Sequence, residues 1–232
     1  MGATRVLAGL MVAALVAGGM AVSAGAQTGD LTAWCQARVD VEAAFSSEDE
    51  SAISAALEAL STTAPPDIAS DSATVAQLLG ELGEEAFEDP TFNEALAAVE
   101  AYVLANCGFN VVEVSAIDYE FDGLPDTVPA GITAFSLTND APREQHEIVI
   151  FRVNDDVELS AKKLLSLPEK KVQKKVTFAG AAFADPGATQ TTVADLESGR
   201  YVASCFIPVG GKKKGAPHFT KGMFTEFEVE AE

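Results

Sequence analysis

The hydrophobic pattern of this chain changes its period near residue 111, and that change limits what the chain can fold into. Before it, apolar residues recur at the three-to-four-residue spacing of amphipathic helices. After it, seven short runs rich in Val, Ile, Phe and Thr are separated by Gly, Pro, Asn and Asp, and one run, 157–167, breaks the alternation like a short helix. The pattern predicts an α+β multidomain protein, with a small acidic bundle of four helices over 27–110 and an antiparallel β-sandwich over 111–232.

Residues 1–26 have the composition of a secretory signal peptide. A single early charge, Arg5, precedes an apolar run, and Ala24-Gly25-Ala26 forms a small-residue cleavage site. No cysteine follows that site directly, which argues against lipid attachment, and no later stretch reaches the ~18 apolar residues of a membrane-spanning helix. We therefore expect a mature protein that is secreted, periplasmic or otherwise extracytoplasmic, without membrane insertion.

Three cysteines in an exported chain leave one without a partner after one pair has formed. Cys35 and Cys107 lie at the two ends of the helical region, and pairing them would close a loop of about seventy residues. We predict this disulfide, together with a free thiol at Cys205. A retained thiol outside the cytoplasm is usually bound, buried or reactive.

The chain is strongly acidic, and its negative charge limits the kinds of molecule that it can be expected to bind. The formal net charge is −20 at pH 7, and residues 30–110 hold sixteen acidic residues against Arg38 alone. Such a surface repels nucleic acids and anionic lipids, so neither is expected as a partner. Lys212, Lys213 and Lys214 form an isolated positive spot, which is either a solvated loop tip or a surface that steers an acidic protein.

The segment around Cys205 gathers three side chains that are ligands of soft metal ions. A short strand ends at Cys205, a Gly/Lys-rich loop follows, and His218 and Met223 stand before the last strand. His146 is the other histidine of the chain, and Met223 is the only methionine outside the signal segment. A thiolate, two imidazoles and a thioether are the donor set of a mononuclear type-1 copper site. The scarcity of these donors elsewhere favours one shared site over four unrelated core or surface residues.

The segments GRYVASC, which ends at Cys205, and HFTKGM, from His218 to Met223, resemble the cupredoxins, the plastocyanin/azurin family of small blue copper proteins. The resemblance covers roughly 111–232. It implies a cupredoxin-like sandwich in which one type-1 copper is bound by His146, Cys205 and His218, with Met223 as the weak axial ligand. It further implies electron transfer or copper handling, and a redox partner protein.

The spacing from Cys205 to His218 departs from the pattern of this family. Twelve residues intervene, where simple plastocyanin-like sites have only a few. The extra segment is either a protruding hairpin whose base keeps both donors together, or the mark of a sandwich that has lost its copper. In the second case the chain is a metal-free cupredoxin-like extracellular binding module.

An enzyme is the weakest of the three interpretations. The sequence has no Ser/His/Asp pattern, no phosphate-binding glycine loop and too few histidines for a multicopper oxidase. We therefore expect no catalytic residues and no cofactor besides the copper, and no oligomeric state is predicted.

Overall fold

The computed structural model describes residues 30–47, 49–212 and 215–231. The predicted signal segment 1–26 lies outside these residues and stays a prediction, as do the predicted domain boundaries. The described chain divides into two compact units. The helical unit contains Glu50–Cys107 and the start of the first helix, and the other unit contains the chain from Gly108 together with the end of that helix. No helix within the described residues is both long and apolar enough to cross a membrane.

Four α-helices occupy the first part of the described chain, as the apolar spacing predicted. They are α1 (Leu31–Ser47), α2 (Glu50–Thr62), α3 (Ala69–Leu82) and α4 (Pro90–Asn106), with a 3₁₀ segment at Gly83–Glu88. Two aspartates begin helices as N-caps. Asp30 Oδ1 accepts hydrogen bonds from the backbone amides of Thr32 and Ala33, and Asp89 caps α4 in the same way. Each cap pairs amides that a helix start otherwise leaves without a partner.

The predicted disulfide is present between Cys35 of α1 and Cys107, which follows α4. Beside it, Trp34 is completely buried, and its Nε1 donates to Ser72 Oγ at 3.0 Å. The indole also meets the Tyr102 ring edge to face, with 5.3 Å between centroids. A covalent link and a packed aromatic core therefore hold the two ends of the helical region together.

The second part of the described chain forms a β-sandwich of two sheets. Its strands are β1 (Asn110–Ile117), β2 (Glu120–Asp122), β3 (Thr127–Pro129), β4 (Gly131–Asn139), β5 (His146–Val153), β6 (Val176–Ala184), β7 (Thr189–Leu196), β8 (Gly199–Ser204) and β9 (Phe224–Glu230). One sheet has the order β2-β1-β4-β7, and the other has the order β3-β9-β8-β5-β6. A buried cluster with members from both sheets, including Phe135, Ile150 and Phe227, fills the space between them.

The predicted sandwich is confirmed, but its strand pairing is mixed and not wholly antiparallel. β1 runs parallel to β4, and β3 runs parallel to β9. The chain leaves β1 through β2 of the same sheet, passes through the other sheet as β3 and returns as β4, and this route brings β4 beside β1 in the same direction. The run predicted to break the alternation contains the short helix α5 (Ala161–Leu165), and α6 (Glu169–Val172) follows before β6.

Candidate metal centre

Three neighbouring strands bring three of the predicted ligands together at one end of the five-stranded sheet. His146 is the first residue of β5, Cys205 follows the last residue of β8, and Met223 precedes the first residue of β9. β8 lies between β5 and β9 and is antiparallel to both, so the end of β8 meets the starts of the other two. Residues far apart in the sequence therefore meet here because of the strand order.

The side chains of His146, Cys205 and His218 converge, and all three residues are completely buried. Cys205 Sγ lies 3.3 Å from His218 Nδ1, and that nitrogen lies 3.1 Å from His146 Nδ1. One donor atom from each residue lies within 4.8 Å of the other two. Ligands about 2.0–2.3 Å from a common ion need separations of this size, so one sulfur and two nitrogens fit a trigonal metal site.

Met223 is completely buried and belongs to the same core cluster of the sandwich as Cys205. Its carbonyl oxygen accepts a hydrogen bond from the Cys205 amide at 3.1 Å, and its own amide donates to the His218 carbonyl at 3.3 Å. The backbone of Met223 is therefore tied to two of the predicted ligand residues. Its axial role stays a prediction.

Between Cys205 and His218, residues 206–212 and 215–217 form the two arms of a hairpin that brings the chain back toward Cys205. Pro208 pairs with Pro217 as an isolated antiparallel bridge. At the base of the hairpin, the His218 amide donates to the Ile207 carbonyl at 2.9 Å. The long spacing in sequence is therefore compatible with the 3.3 Å contact between the thiol and the imidazole.

Glu144 is the residue of this site that sequence reasoning missed. Its Oε2 accepts hydrogen bonds from His218 Nε2 and from the Gly210 amide, both at 2.8 Å, and its Oε1 accepts one from the Tyr119 hydroxyl at 3.0 Å. The Gly210 amide lowers the pKa of Glu144 most strongly, burial raises it, and the bonds from His218 and Tyr119 lower it further. In the sequence, only its place two residues before His146 pointed to this glutamate.

The protonation of two donors follows from their surroundings. Because the Glu144 carboxylate can only accept, His218 carries a hydrogen on Nε2, and its Nδ1 faces the other two donors. Burial raises the pKa of the Cys205 thiol to about 12, and the charge of the nearby Glu147 adds to this effect. Without a metal ion the thiol is therefore protonated at neutral pH, and a metal ion has to displace its proton.

His146 has one ring nitrogen without a partner. Its Nε2 is buried and makes no hydrogen bond within the described chain. Burial, and then the neighbouring His218, lower the pKa of this imidazole, which favours the neutral ring that metal ions bind. The nitrogen that faces the other donors is Nδ1, 3.1 Å from His218 Nδ1, and a neutral ring with its hydrogen on Nε2 leaves Nδ1 free to bind a metal ion.

Glu147, the next residue, is a buried carboxyl group. Burial raises its pKa from 4.5 to about 7, although the Phe206 amide, which donates to Oε1 at 2.7 Å, opposes the rise. The folded protein thus holds this proton more tightly than the unfolded chain does. The resulting stability is fully present below about pH 4.5 and is lost as the pH rises through about 7. The difference corresponds to about 3 kcal/mol.

The variant Glu147→Gln is expected to remove this pH dependence from the metal-free protein. Wild type should lose about 3 kcal/mol more of its free energy of unfolding than the variant does between about pH 4.5 and about pH 8. Urea titrations across this range measure the difference, and the other carboxylates cancel because both proteins contain them. Equal losses in the two proteins would contradict the prediction.

Neither the protein-family models nor the curated proteins compared with this chain match it. Among solved structures, auracyanin from the photosynthetic bacterium Roseiflexus castenholzii is 23% identical, with a TM-score of 0.38 over 52% of this chain and 97% of its own. Auracyanin A, a "blue" copper protein from the green thermophilic photosynthetic bacterium Chloroflexus aurantiacus, is 17% identical, with a TM-score of 0.36 over 54% of this chain and 100% of its own. Rusticyanin from Thiobacillus ferrooxidans is 15% identical, with a TM-score of 0.34 over 52% of this chain and 78% of its own.

These three proteins are cupredoxins, the group that residues 111–232 resemble in sequence. Because the identities and TM-scores are low, the similarity does not assign a metal to this chain. The chemistry of the site has to be inferred from its own side chains.

Proposed function

We propose that this chain is an exported cupredoxin-like protein that binds one type-1 copper ion and transfers single electrons. The observation that supports this most strongly is the complete burial of one thiol and two imidazoles whose donor atoms lie within 4.8 Å of one another. This donor set suits both oxidation states of copper. The proposal includes no enzymatic activity.

Each side chain has a separate role in this proposal. Cys205, as a thiolate, and the Nδ1 atoms of His146 and His218 would be the strong ligands of the ion, and Met223 would supply a weaker thioether donor. When bound, copper supplies a centre that accepts and releases one electron. The strand ends and the base of the hairpin hold the three strong donors close together in the absence of metal. The ligands would therefore rearrange little when the charge of a bound copper ion changes.

The proposed location and partner follow from other parts of the chain. The predicted signal peptide and the disulfide between Cys35 and Cys107 support a place outside the cytoplasm, where disulfides persist. An electron carrier requires a redox partner protein. The steering of such a partner by Lys212, Lys213 and Lys214 stays a prediction, since the last two lie outside the described residues.

Titration of the purified mature protein with Cu(II) tests the proposed function. We expect one equivalent to bind and to produce the intense blue absorption of a copper–thiolate bond. Zn(II), a colourless ion that takes the same donors, should compete and prevent the colour. Failure to bind one equivalent of copper, or binding without the blue absorption, would overturn the proposal and leave the metal-free binding module.

Replacing Met223 with leucine is expected to preserve the copper and its colour while raising the reduction potential. Leucine nearly conserves the buried volume, so the free energy of unfolding should change by less than about 1.5 kcal/mol. The variant lacks the axial thioether, and losing a donor destabilises the more highly charged Cu(II) more than Cu(I). Voltammetry of both copper-loaded proteins measures the shift. An unchanged potential would identify Met223 as a core residue and not a ligand.

A further inference from the structure

The carboxylate of Glu144 contacts two features that the proposed function leaves unexplained, the outer nitrogen of His218 and the inserted hairpin. We propose that Glu144 is a positioning residue of the metal centre. It holds the His218 ring with Nδ1 toward the other two donors, and through Gly210 it fastens the hairpin (207–212 and 215–217) beside that ring. The role toward copper rests on the proposed function, whereas the hydrogen bonds belong to the metal-free protein.

The bond to Glu144 decides which way the His218 ring faces. Nε2 lies 2.8 Å from Glu144 Oε2, while Nδ1 lies 3.3 Å from Cys205 Sγ. A half-turn of the ring would put carbon atoms where the nitrogens are, and both contacts would be lost together. Tyr119 restricts the ring further, because the two rings meet edge to face with 4.9 Å between centroids. Carboxylates bonded to the outer nitrogen of a metal-binding histidine generally fix its orientation and tautomer.

Glu144 can orient the ring because hydrogen bonds hold both its carboxylate and its backbone carbonyl. The Tyr119 hydroxyl donates to its Oε1 at 3.0 Å, and Asn139 Nδ2 donates to its backbone carbonyl at 2.8 Å. Asn139 is completely buried, and the same Nδ2 also donates to the Ala184 carbonyl at 2.8 Å. With its backbone and carboxylate both anchored, the Glu144 side chain, which is 22% exposed, presents its acceptor in a fixed position.

The same carboxylate oxygen links the hairpin to the ligand ring. Gly210 has a φ of 70°, a left-handed conformation that suits glycine, and its amide donates to Glu144 Oε2. The hairpin is therefore bonded twice near His218, at its base through Ile207 and farther along through Gly210. In this arrangement His218 has no exposed surface.

The bond between Glu144 and His218 should slow the release of a bound metal ion. A metal ion can leave three buried ligands only if at least one of them moves aside. His218 lies next to the hairpin, and its movement requires the bond to Glu144 to break. Loss of a hydrogen-bond partner of this kind typically weakens metal binding about 10–100-fold. We expect most of that change to appear as faster release.

Two substitutions at this position and one elsewhere test the role of Glu144. Glu144→Ala removes the acceptor, and Glu144→Gln keeps a neutral acceptor of similar shape. Glu113→Ala is the matched control, because Glu113 is exposed on β1 and its carboxylate has no hydrogen bond or ion pair within the described residues.

The first measurements use metal-free protein at neutral pH: ¹⁵N NMR for the position of the His218 proton, and hydrogen exchange for the Gly210 amide. Wild type and Glu113→Ala should carry the proton on Nε2 and protect Gly210. Glu144→Ala should lose both properties. Glu144→Gln should retain both in weaker form, because hydrogen bonds to a charged acceptor are about twice as strong as neutral ones.

The second measurement is the rate at which each copper-loaded protein releases its metal to an excess of chelator. Release should be about 10–100-fold faster for Glu144→Ala, intermediate for Glu144→Gln and unchanged for Glu113→Ala. A wild-type His218 protonated on Nδ1, or unchanged tautomer, exchange and release in both Glu144 variants, would overturn the inference. If copper does not bind at all, the proposed function fails, and the metal-free measurements still decide the role of Glu144. If Glu144→Ala does not fold, Glu144→Gln and the wild-type tautomer decide it.

Discussion

Cys205→Ser is expected to abolish the blue absorption of the copper-loaded protein completely. The hydroxyl group does not ionise at neutral pH and supplies no sulfur orbital, so the copper–thiolate transition has no donor. Serine is close to cysteine in shape and can donate to His218 Nδ1, which now lies 3.3 Å from the sulfur. The fold should therefore persist. Absorption spectra after addition of Cu(II) measure the colour, and thermal unfolding followed by circular dichroism checks the fold.

Ser204→Ala is the matched control for this substitution. Ser204 precedes Cys205, is completely buried, and its Oγ has no hydrogen-bond partner in the described structure. Removing that hydroxyl should leave both fold and colour unchanged. A blue Cys205→Ser protein would contradict the assignment of Cys205 as a ligand. Loss of colour in both variants would indicate that any substitution at the end of β8 disturbs the site.

Removal of the disulfide is expected to destabilise the helical unit by about 4 kcal/mol, because the bond between Cys35 and Cys107 spans a sequence separation of 72 residues and restricts the unfolded chain. Stabilities of domains are commonly about 5–15 kcal/mol, so this loss is a large part of the total. The double variant Cys35→Ala/Cys107→Ala should therefore unfold at a markedly lower denaturant concentration.

Trp34 provides a fluorescence signal for this unfolding. It is the only tryptophan of the chain, it is completely buried, and it is adjacent to Cys35. Guanidinium titrations of the double variant should show a lower midpoint than wild type. Cys205→Ala, which removes a cysteine of the other unit, is the control and should leave this midpoint unchanged. A double variant with the wild-type midpoint would show that the disulfide contributes little to stability.

The elements that could be predicted from the sequence are those long enough to show a period. The four helices and the longer strands repeat their apolar spacing several times, whereas β2 and β3 have three residues each, too few for an alternation to repeat. The parallel pairing of β1 with β4 was missed for a different reason. Side chains alternate in the same way in parallel and antiparallel strands, so only the route of the chain between them decides the direction.

The candidate site was predictable to the extent that its donors are rare. His146 and His218 are the two histidines of the chain, and such scarcity is visible in the composition. Glu144 is one of 35 acidic residues, so composition could not single it out. Its contacts with Gly210 and His218 join residues 66 and 74 positions apart, and only the folded hairpin shows which carboxylate reaches the ring.

Because of the hairpin, the number of residues between two ligands does not determine their distance in space, although sequence motifs usually assume that it does. The amides of His218 and Phe219 donate to the carbonyls of Ile207 and Cys205, both at 2.9 Å, and these bonds keep the donors adjacent whatever lies beyond them. Lengthening the tip should cost little, since the entropy of closing a loop changes only with the logarithm of its length. A genome search that requires a short fixed gap between cysteine and histidine will therefore overlook chains of this kind. One that allows a variable insertion before His-x4-Met will retrieve them.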